Sequence, residues 1–247
     1  MSGWRNNLQV AWLNSKQYAA TLWFKDEEEC VLCGNRSEDV VCADCRERYL
    51  LTKSPRCIAC GKIIPIQKQV CRDCESGNGP QGLRKVTALG HYHGALKDYI
   101  HRIKFKSQPY HLLALADDLV SWVINVLPPP DALVPIPMHP ARLAQRGYNQ
   151  AEVLASILSR RLGIDIKDML LRNRETLSQT ALGRRERLKN LQGAFTLKPN
   201  FGKHIHTVWL VDDVVTTGAT LEECSKALKT GGIDNIYAVC LGAGKEE

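Results

Sequence analysis

No stretch of this 247-residue chain is apolar for long enough to cross a bilayer, which excludes a spanning helix. The N-terminus, MSGWRNNLQVAWLNSKQ, lacks the apolar core and small-residue cleavage site of a secretory signal, so we expect a cytoplasmic protein. Internal repeats are missing from the larger, C-terminal part. Charge imbalance is small: the formal net charge of +7 favours anionic partners such as phosphates or nucleic acid without identifying them. With 44% hydrophobic residues, the length suffices for one large α/β domain and a small appendage.

Cysteine, by contrast, is abundant and clustered. Eight of the ten lie between residues 30 and 74, as four CxxC pairs: Cys30/Cys33, Cys42/Cys45, Cys57/Cys60 and Cys71/Cys74. In a reducing compartment such clusters are metal ligands rather than disulfides. A CxxC turn aims two thiolates at one tetrahedral cation, and two turns close a structural zinc shell. Gly34 and Gly61, each directly after a pair, let the backbone turn tightly toward the sulfurs. The short spacers favour sequential pairing, two ions held by consecutive pairs; interleaved pairing stays open. Zinc here staples a segment too small to own a core. Cys224 and Cys240 sit in apolar patterns and read as buried spectators.

The chain divides into residues 1–29, 30–74, 75–82 and 83–247. The first block reads as an amphipathic helix with Trp4, Leu8, Ala11 and Trp12 on one face, ended by Asp26, Glu27, Glu28 and Glu29. Residues 75–82 are a linker by composition. Beyond it, strands are expected near Val86–Tyr92, Ala132–Ile136, Thr207–Val211 and Ile236–Leu241. Helices intervene, with Leu96, Ile100 and Ile103 on one face, then Leu113, Ala116, Val120, Val123 and Leu127, then Ala151, Leu154, Ile157 and Leu158, then Leu221, Cys224 and Leu228. Strands separated by helices pair in parallel through right-handed crossovers.

The most informative string follows the third strand: Asp212, Asp213, Val214, Val215, Thr216, Thr217, Gly218, Ala219, Thr220. The end of a parallel strand leading into a helix N-terminus is where α/β folds bind ligands, and free N–H groups there favour a phosphate. Thr216, Thr217 and Thr220 add hydroxyl donors, and Gly218 lets the backbone approach. The two carboxylates suit ribose hydroxyls, directly or through Mg2+.

This pattern resembles the 5-phosphoribosyl-1-pyrophosphate (PRPP) motif of type I phosphoribosyltransferases. Together with the cysteine pairs, Tyr92-x-Gly94-x-Leu96-Lys97, Ile103 to Lys106, Val134 to Pro137, Arg146 to Gln150, and Gln179 with Arg187, Asn190 and Phe195, it resembles the ComF family. The resemblance covers nearly all of residues 30 to 245. It implies a parallel-sheet type I phosphoribosyltransferase-like domain behind a double zinc-ribbon-like module. Position by position, it implies a pyrophosphate loop with Pro137, Met138, Arg142 and Arg146, carrying a strained peptide. It also implies a mobile lid over residues 172–187 with Arg172, Gln179, Arg184 and Arg187, although such an arginine run also reads as a solvated helix. Where 6-oxopurine enzymes of this fold carry an aspartate for the base proton, this chain has Thr216, which argues against hypoxanthine or guanine salvage. The acceptor hood corresponds to residues 84–111, whose Arg102, Lys104 and Lys106 suit a long anion.

Three functions follow from these features. The ComF resemblance implies a role in natural competence, DNA uptake or DNA utilisation, at the cytoplasmic face of the inner membrane. Single-stranded DNA would bind Arg102, Lys104 and Lys106, and an uptake helicase or recombination mediator would be the partner. Alternatively the protein is a phosphoribosyltransferase with an unidentified acceptor, or a regulator that senses PRPP or a nucleotide without turnover.

Overall fold

The computed structural model describes residues 29–50, 55–105, 109–174, 184–199 and 204–246. The amphipathic helix expected within 1–29 therefore falls, except for Glu29, outside the described residues, as do Lys106 and Gln179.

Four strands form a parallel sheet in the order β1 (Lys85–His91), β7 (Asn235–Ala243), β5 (Thr207–Val211), β2 (Ala132–Pro135). A two-residue strand, β6 (Val214–Val215), extends the pairing at the carboxyl end of β7. Val208, Trp209, Leu210 and Val211 of β5 are all buried, as expected for a central parallel strand covered on both faces. Alternation along the strand decides which layer each residue meets. Trp209 and Val211 face the core that holds Leu96, Ile100 and Ile103 of α3 (Gly94–Phe105), Leu119 and Val123 of α4 (Ala116–Val126), and Leu154 and Leu158 of α6 (Gln150–Leu162). Val208 and Leu210 face Leu221, Cys224 and Leu228 of α8 (Ala219–Lys229).

The strands and helix faces read from the pattern are present, with two differences. The helix expected from Leu113 begins as a 3-10 turn over Pro109–Leu115, and its buried stripe is Ala116, Leu119 and Val123. An antiparallel pair, β3 (Leu170–Arg172) with β4 (Phe195–Leu197), flanks the main sheet. The pattern gives no sign of it, because three-residue strands are too short for a period to register. Among the described residues no helix is long and apolar enough to cross a membrane.

The cysteine-rich segment does not have a core wholly its own. Cys30, Leu32, Val41, Cys45 and Leu50 belong to the same hydrophobic cluster as Leu96, Tyr99 and Leu119. Among the described residues of this segment, only Cys57, Cys60, Ile64 and Cys71 form a small separate cluster. That second loop caps the open edge of β1. The Val86 N–H donates to the Ala59 carbonyl at 2.9 Å, and Arg56 donates to the carbonyls of Ala88 and Leu89 at 2.8 and 3.0 Å. An edge strand otherwise presents unpaired backbone groups, and here the loop satisfies them. Gly61 permits the approach: a Cβ at this position would lie 2.8 Å from the Val86 carbonyl oxygen.

Nor is 75–82 a slack linker between separate cores. The Gln81 N–H donates to Glu222 at 3.3 Å, and the Ser225 hydroxyl donates to the Gln81 carbonyl at 3.0 Å. Glycine, proline and polar residues read as a linker by composition, but the same small residues let a strap lie close on a helix.

Candidate functional site

The eight cysteines resolve into two groups, Cys30, Cys33, Cys42 and Cys45, then Cys57, Cys60, Cys71 and Cys74, with the sulfurs of each group within 4.8 Å of one another. This is the sequential pairing; the interleaved alternative does not occur. In each group the first pair sits on a turn closed by a glycine N–H, Gly34 to Cys30 and Gly61 to Cys57. The second pair straddles a helix start. Cys42 stands just before α1 (Ala43–Tyr49) and Cys71 just before α2 (Arg72–Glu75), so the first helical turn brings Cys45 and Cys74 back toward their partners. The Cys42 N–H also donates to Cys30 Sγ at 3.3 Å, the kind of bond that stabilises a thiolate. A hydrogen bond from Cys60 outweighs burial and pulls the Cys57 thiol down to about 4. Four convergent sulfurs with amide support fit a structural zinc shell in both groups.

At the carboxyl end of β5, Asp212 and Asp213 are half-buried. The Asp213 N–H donates to the Asp212 carboxylate at 2.8 Å, and the Asp213 carbonyl accepts from the N–H groups of Leu241 and Gly242 at 2.9 and 3.1 Å. Burial and the neighbouring Asp213 carboxylate push Asp212 up to about 7, against the opposing pull of Lys104 and Arg172. β6 carries the chain to Thr216 and Thr217, and Gly218 then adopts φ 76°, a left-handed conformation that opens α8. The Ala219 N–H lies 3.4 Å from the Thr217 hydroxyl oxygen. Ala219 is buried, and Thr220 is half-buried in the first turn of α8. The motif therefore has the strand-turn-helix form that a phosphate site requires.

Pro80 of the strap packs on this turn: a Cβ on Gly218 would lie 2.7 Å from the Pro80 Cβ. The neighbouring Gly79 is pressed against the zinc-type ligand Cys74.

The expected pyrophosphate loop stands beside the acids, because the Ile136 N–H donates to the carbonyl of Val211, the residue before Asp212, at 3.0 Å. Pro137 and Met138 are half-buried, and α5 (Pro140–Arg146) follows. Arg142 lies in that helix, and Arg146 at its end donates to Gln150 at 2.9 Å. The Asn149 side chain donates to the Ile136 carbonyl at 2.9 Å and accepts from the Ala151 N–H, so it both fixes the loop and caps α6. The strained peptide expected in this loop is not found. It contains no cis bond and no non-glycine residue at positive φ; His139 is extended, as a residue before proline prefers.

From the expected hood, Lys104 reaches Asp213 at 2.9 Å. Its side chain is 20% exposed, and although burial disfavours the ammonium, the Asp213 carboxylate holds it charged above its ordinary range. Lys104 is thus a counter-charge inside the acid site rather than a free surface cation. Arg102 is exposed and donates to the Val31 carbonyl at 2.7 Å, tying the hood to the first cysteine loop. Tyr148 donates to the Ile103 carbonyl, joining the same helix to the pyrophosphate-loop side. Sequence reasoning gives Tyr148 and Asn149 no role of their own, although both stand in the Arg146 to Gln150 motif.

Arg172 closes β3, with its guanidinium 5.3 Å from the Phe195 ring, and so sits on the small sheet at the start of the expected lid. Arg184 and Arg187 fall in α7 (Arg184–Leu191). Residues 175–183 of the expected lid lie outside the described residues.

Strand order, acid pair and helix entry define an α/β domain built on a parallel sheet, with a double four-cysteine module at its N-terminal side. The relatives are more particular. No family model matches the chain. Competence protein F of Haemophilus influenzae is 33% identical over 217 residues, covering 84% of this chain and 93% of that protein. Competence protein ComFC of Bacillus subtilis is 30% identical, covering 82% and 89%, and the DNA utilization protein YhgH of Escherichia coli is 31% identical, covering 81% and 89%. The chain belongs to the competence protein F (ComF) family. Among solved structures, adenine phosphoribosyltransferase of Leishmania tarentolae matches 65% of this chain and 78% of its own at 16% identity, with a TM-score of 0.35, too low to carry an argument.

Proposed function

We propose that this protein acts in DNA uptake or utilisation as a cytoplasmic component that binds PRPP, or the phosphate of a nucleotide, at the carboxyl end of β5. The observation that supports the reading is the half-buried pair Asp212 and Asp213 leading into the left-handed Gly218 at the start of α8. The N–H groups of that first turn would hold the phosphate, and the carboxylates would accept from ribose hydroxyls. Among the described residues, three or more metal-binding side chains converge only in the cysteine clusters. Mg2+ would therefore arrive with the diphosphate of the ligand, as this ion commonly does, and neutralise it there. Arg142, Arg146, Arg172 and, from α7, Arg184 and Arg187 belong to the same proposal as cations for the diphosphate.

The competence and DNA-utilisation names of the relatives support a nucleic-acid role. Single-stranded DNA is the proposed substrate, with an uptake helicase or recombination mediator as partner. Because Lys104 is engaged by Asp213, the strand contacts would rest on Arg102 and Lys106. Calorimetric titration of the zinc-loaded chain with PRPP and Mg2+, then with a single-stranded oligonucleotide, tests both halves. Binding of PRPP lost in Asp212→Ala/Asp213→Ala is the expected result; unchanged binding would overturn the site.

A further inference from the structure

Where both cysteine loops meet the carboxyl ends of β1 and β7, an open cavity of about 690 Å³ remains. Its polar lining is Arg48 from α1, His91 and His93 at the end of β1, and Lys245 just after β7. The loop from Pro55 to Ile66 supplies its apolar side, including Ile63 and Pro65. No carboxylate is among the described residues that line it.

The walls are held in place. The Ile63 N–H donates to Gly244 at 3.3 Å and the Glu246 N–H to Ile63 at 3.0 Å, which brackets Lys245. The His91 and His93 rings lie 3.9 Å apart, and the His93 ring meets the edge of Tyr49 at 5.2 Å. Between the two histidines, Tyr92 turns the other way, packing on Gly242 and reaching His101 at 3.1 Å. The end of β1 thus separates this cavity from the Asp212 and Asp213 site.

A cavity whose described lining carries Arg48 and Lys245 but no carboxylate favours an anion. Facing His91 are His93, Lys245 and Arg56, besides Arg48 on the cavity wall; burial and this positive surround push His91 down to about 4. The face of the His91 imidazole, held neutral by burial, offers with Ile63 and Pro65 flat, apolar contact for a planar ring. We infer that this cavity binds a nucleoside monophosphate unit, its phosphate held by Arg48 and Lys245 and its base against the imidazole and apolar wall. The inference does not depend on PRPP binding at β5. The unit is either a free nucleotide or one residue of a single strand, and the test separates the two.

The zinc-loaded full chain is titrated calorimetrically at low salt with adenosine 5′-monophosphate, adenosine, inorganic phosphate and a short deoxyoligonucleotide. Adenosine 5′-monophosphate should bind more tightly than adenosine or phosphate alone. Arg48→Gln/Lys245→Gln should weaken it by about tenfold or more, since each bond to a charged group removed is worth a large part of that factor. PRPP binding and zinc content should not change in this variant. Arg48→Gln alone, on the exposed outer turn of α1, is the milder variant if the double one unfolds. Addition of the nucleotide should also raise the His91 titration point by NMR. Tighter binding of the oligonucleotide, lost in the same variants, assigns the unit to a strand; equal or weaker binding assigns it to the free nucleotide. The inference is overturned if wild type binds no adenosine 5′-monophosphate at millimolar concentration, if the variants bind it unchanged, or if phosphate alone binds as well.

Discussion

Pro80, in the strap that follows the second cysteine cluster, lies directly on Gly218, the left-handed residue that opens α8. Through Gly79, which presses on Cys74, one short segment joins a zinc-type cluster to the turn read as the phosphate site.

Gly218→Ala should therefore be doubly unfavourable. A side chain at φ 76° costs about 1–2 kcal/mol in left-handed strain, and its Cβ would also displace Pro80. Urea unfolding should show the loss, and PRPP affinity should fall with it. Pro80→Ala relieves the contact without strain, so it should lower PRPP affinity less and leave zinc content unchanged. Equal affinity in all three proteins would detach the strap from the site.

Lys104→Met should leave two carboxylates facing each other without a counter-charge. Breaking a mostly buried pair costs up to about 3–5 kcal/mol when burial is complete. The residual exposure, 20% for Lys104 and 14% for Asp213, reduces this to about 1–2 kcal/mol. Asp213→Asn in the same background should recover part of it. A double-mutant cycle by urea denaturation at neutral pH measures the coupling.

Asp212 carries its proton to about 7 in the folded chain, well above an unfolded aspartate. Between these values the folded state binds more protons than the unfolded state, so stability falls as pH rises from about 4 to about 7. The contribution is complete below the unfolded value and lost above the folded one. Asp212→Asn should flatten this part of the pH profile in chemical unfolding. Ligand binding should run oppositely if it needs the carboxylate, strengthening from pH 6 to 8.

Elemental analysis should find two zinc ions per chain, one for each four-sulfur cluster. The clusters should not be equivalent. Cys45 lies in the main core, so Cys45→Ser should lower global stability along with releasing one ion. Cys57 belongs to the small separate cluster, so Cys57→Ser should release one ion and expose the β1 edge to hydrogen exchange, with a smaller change in melting temperature.

On oligonucleotide binding, Lys106→Ala should reduce the slope of log affinity against log salt by about one unit, because one phosphate fewer is neutralised and its counterion is no longer released. Lys104→Ala should leave that slope unchanged, because its ammonium is already paired with Asp213. A slope that falls in Lys104→Ala instead would mean that the pair opens to admit the strand.

Local chemistry was legible in the sequence because it depends on near neighbours. The CxxC spacing brings two sulfurs together whatever surrounds them. The run from Val208 to Val211 with Asp212 and Asp213 behind it makes a strand end with two acids by backbone geometry alone. Periodic burial likewise marked α3, α6 and α8, whose inward residues matched their spacing. The three-residue strands β3 and β4 gave no such period.

What only the tertiary structure decided is how segments far apart in the chain meet. Composition made 75–82 a linker, yet its glycines and proline are small enough to dock on Gly218 and Ser225. Lysines in a basic stretch read as surface charge, yet the turn of α3 that carries Lys104 faces the end of β5, where two carboxylates make burying an ammonium favourable. A cysteine segment too small for a core of its own buried its apolar residues against α3 and α4, and its backbone against β1. Each of these outcomes depends on which surface the sheet leaves open, and that is fixed only once every strand has found its partner.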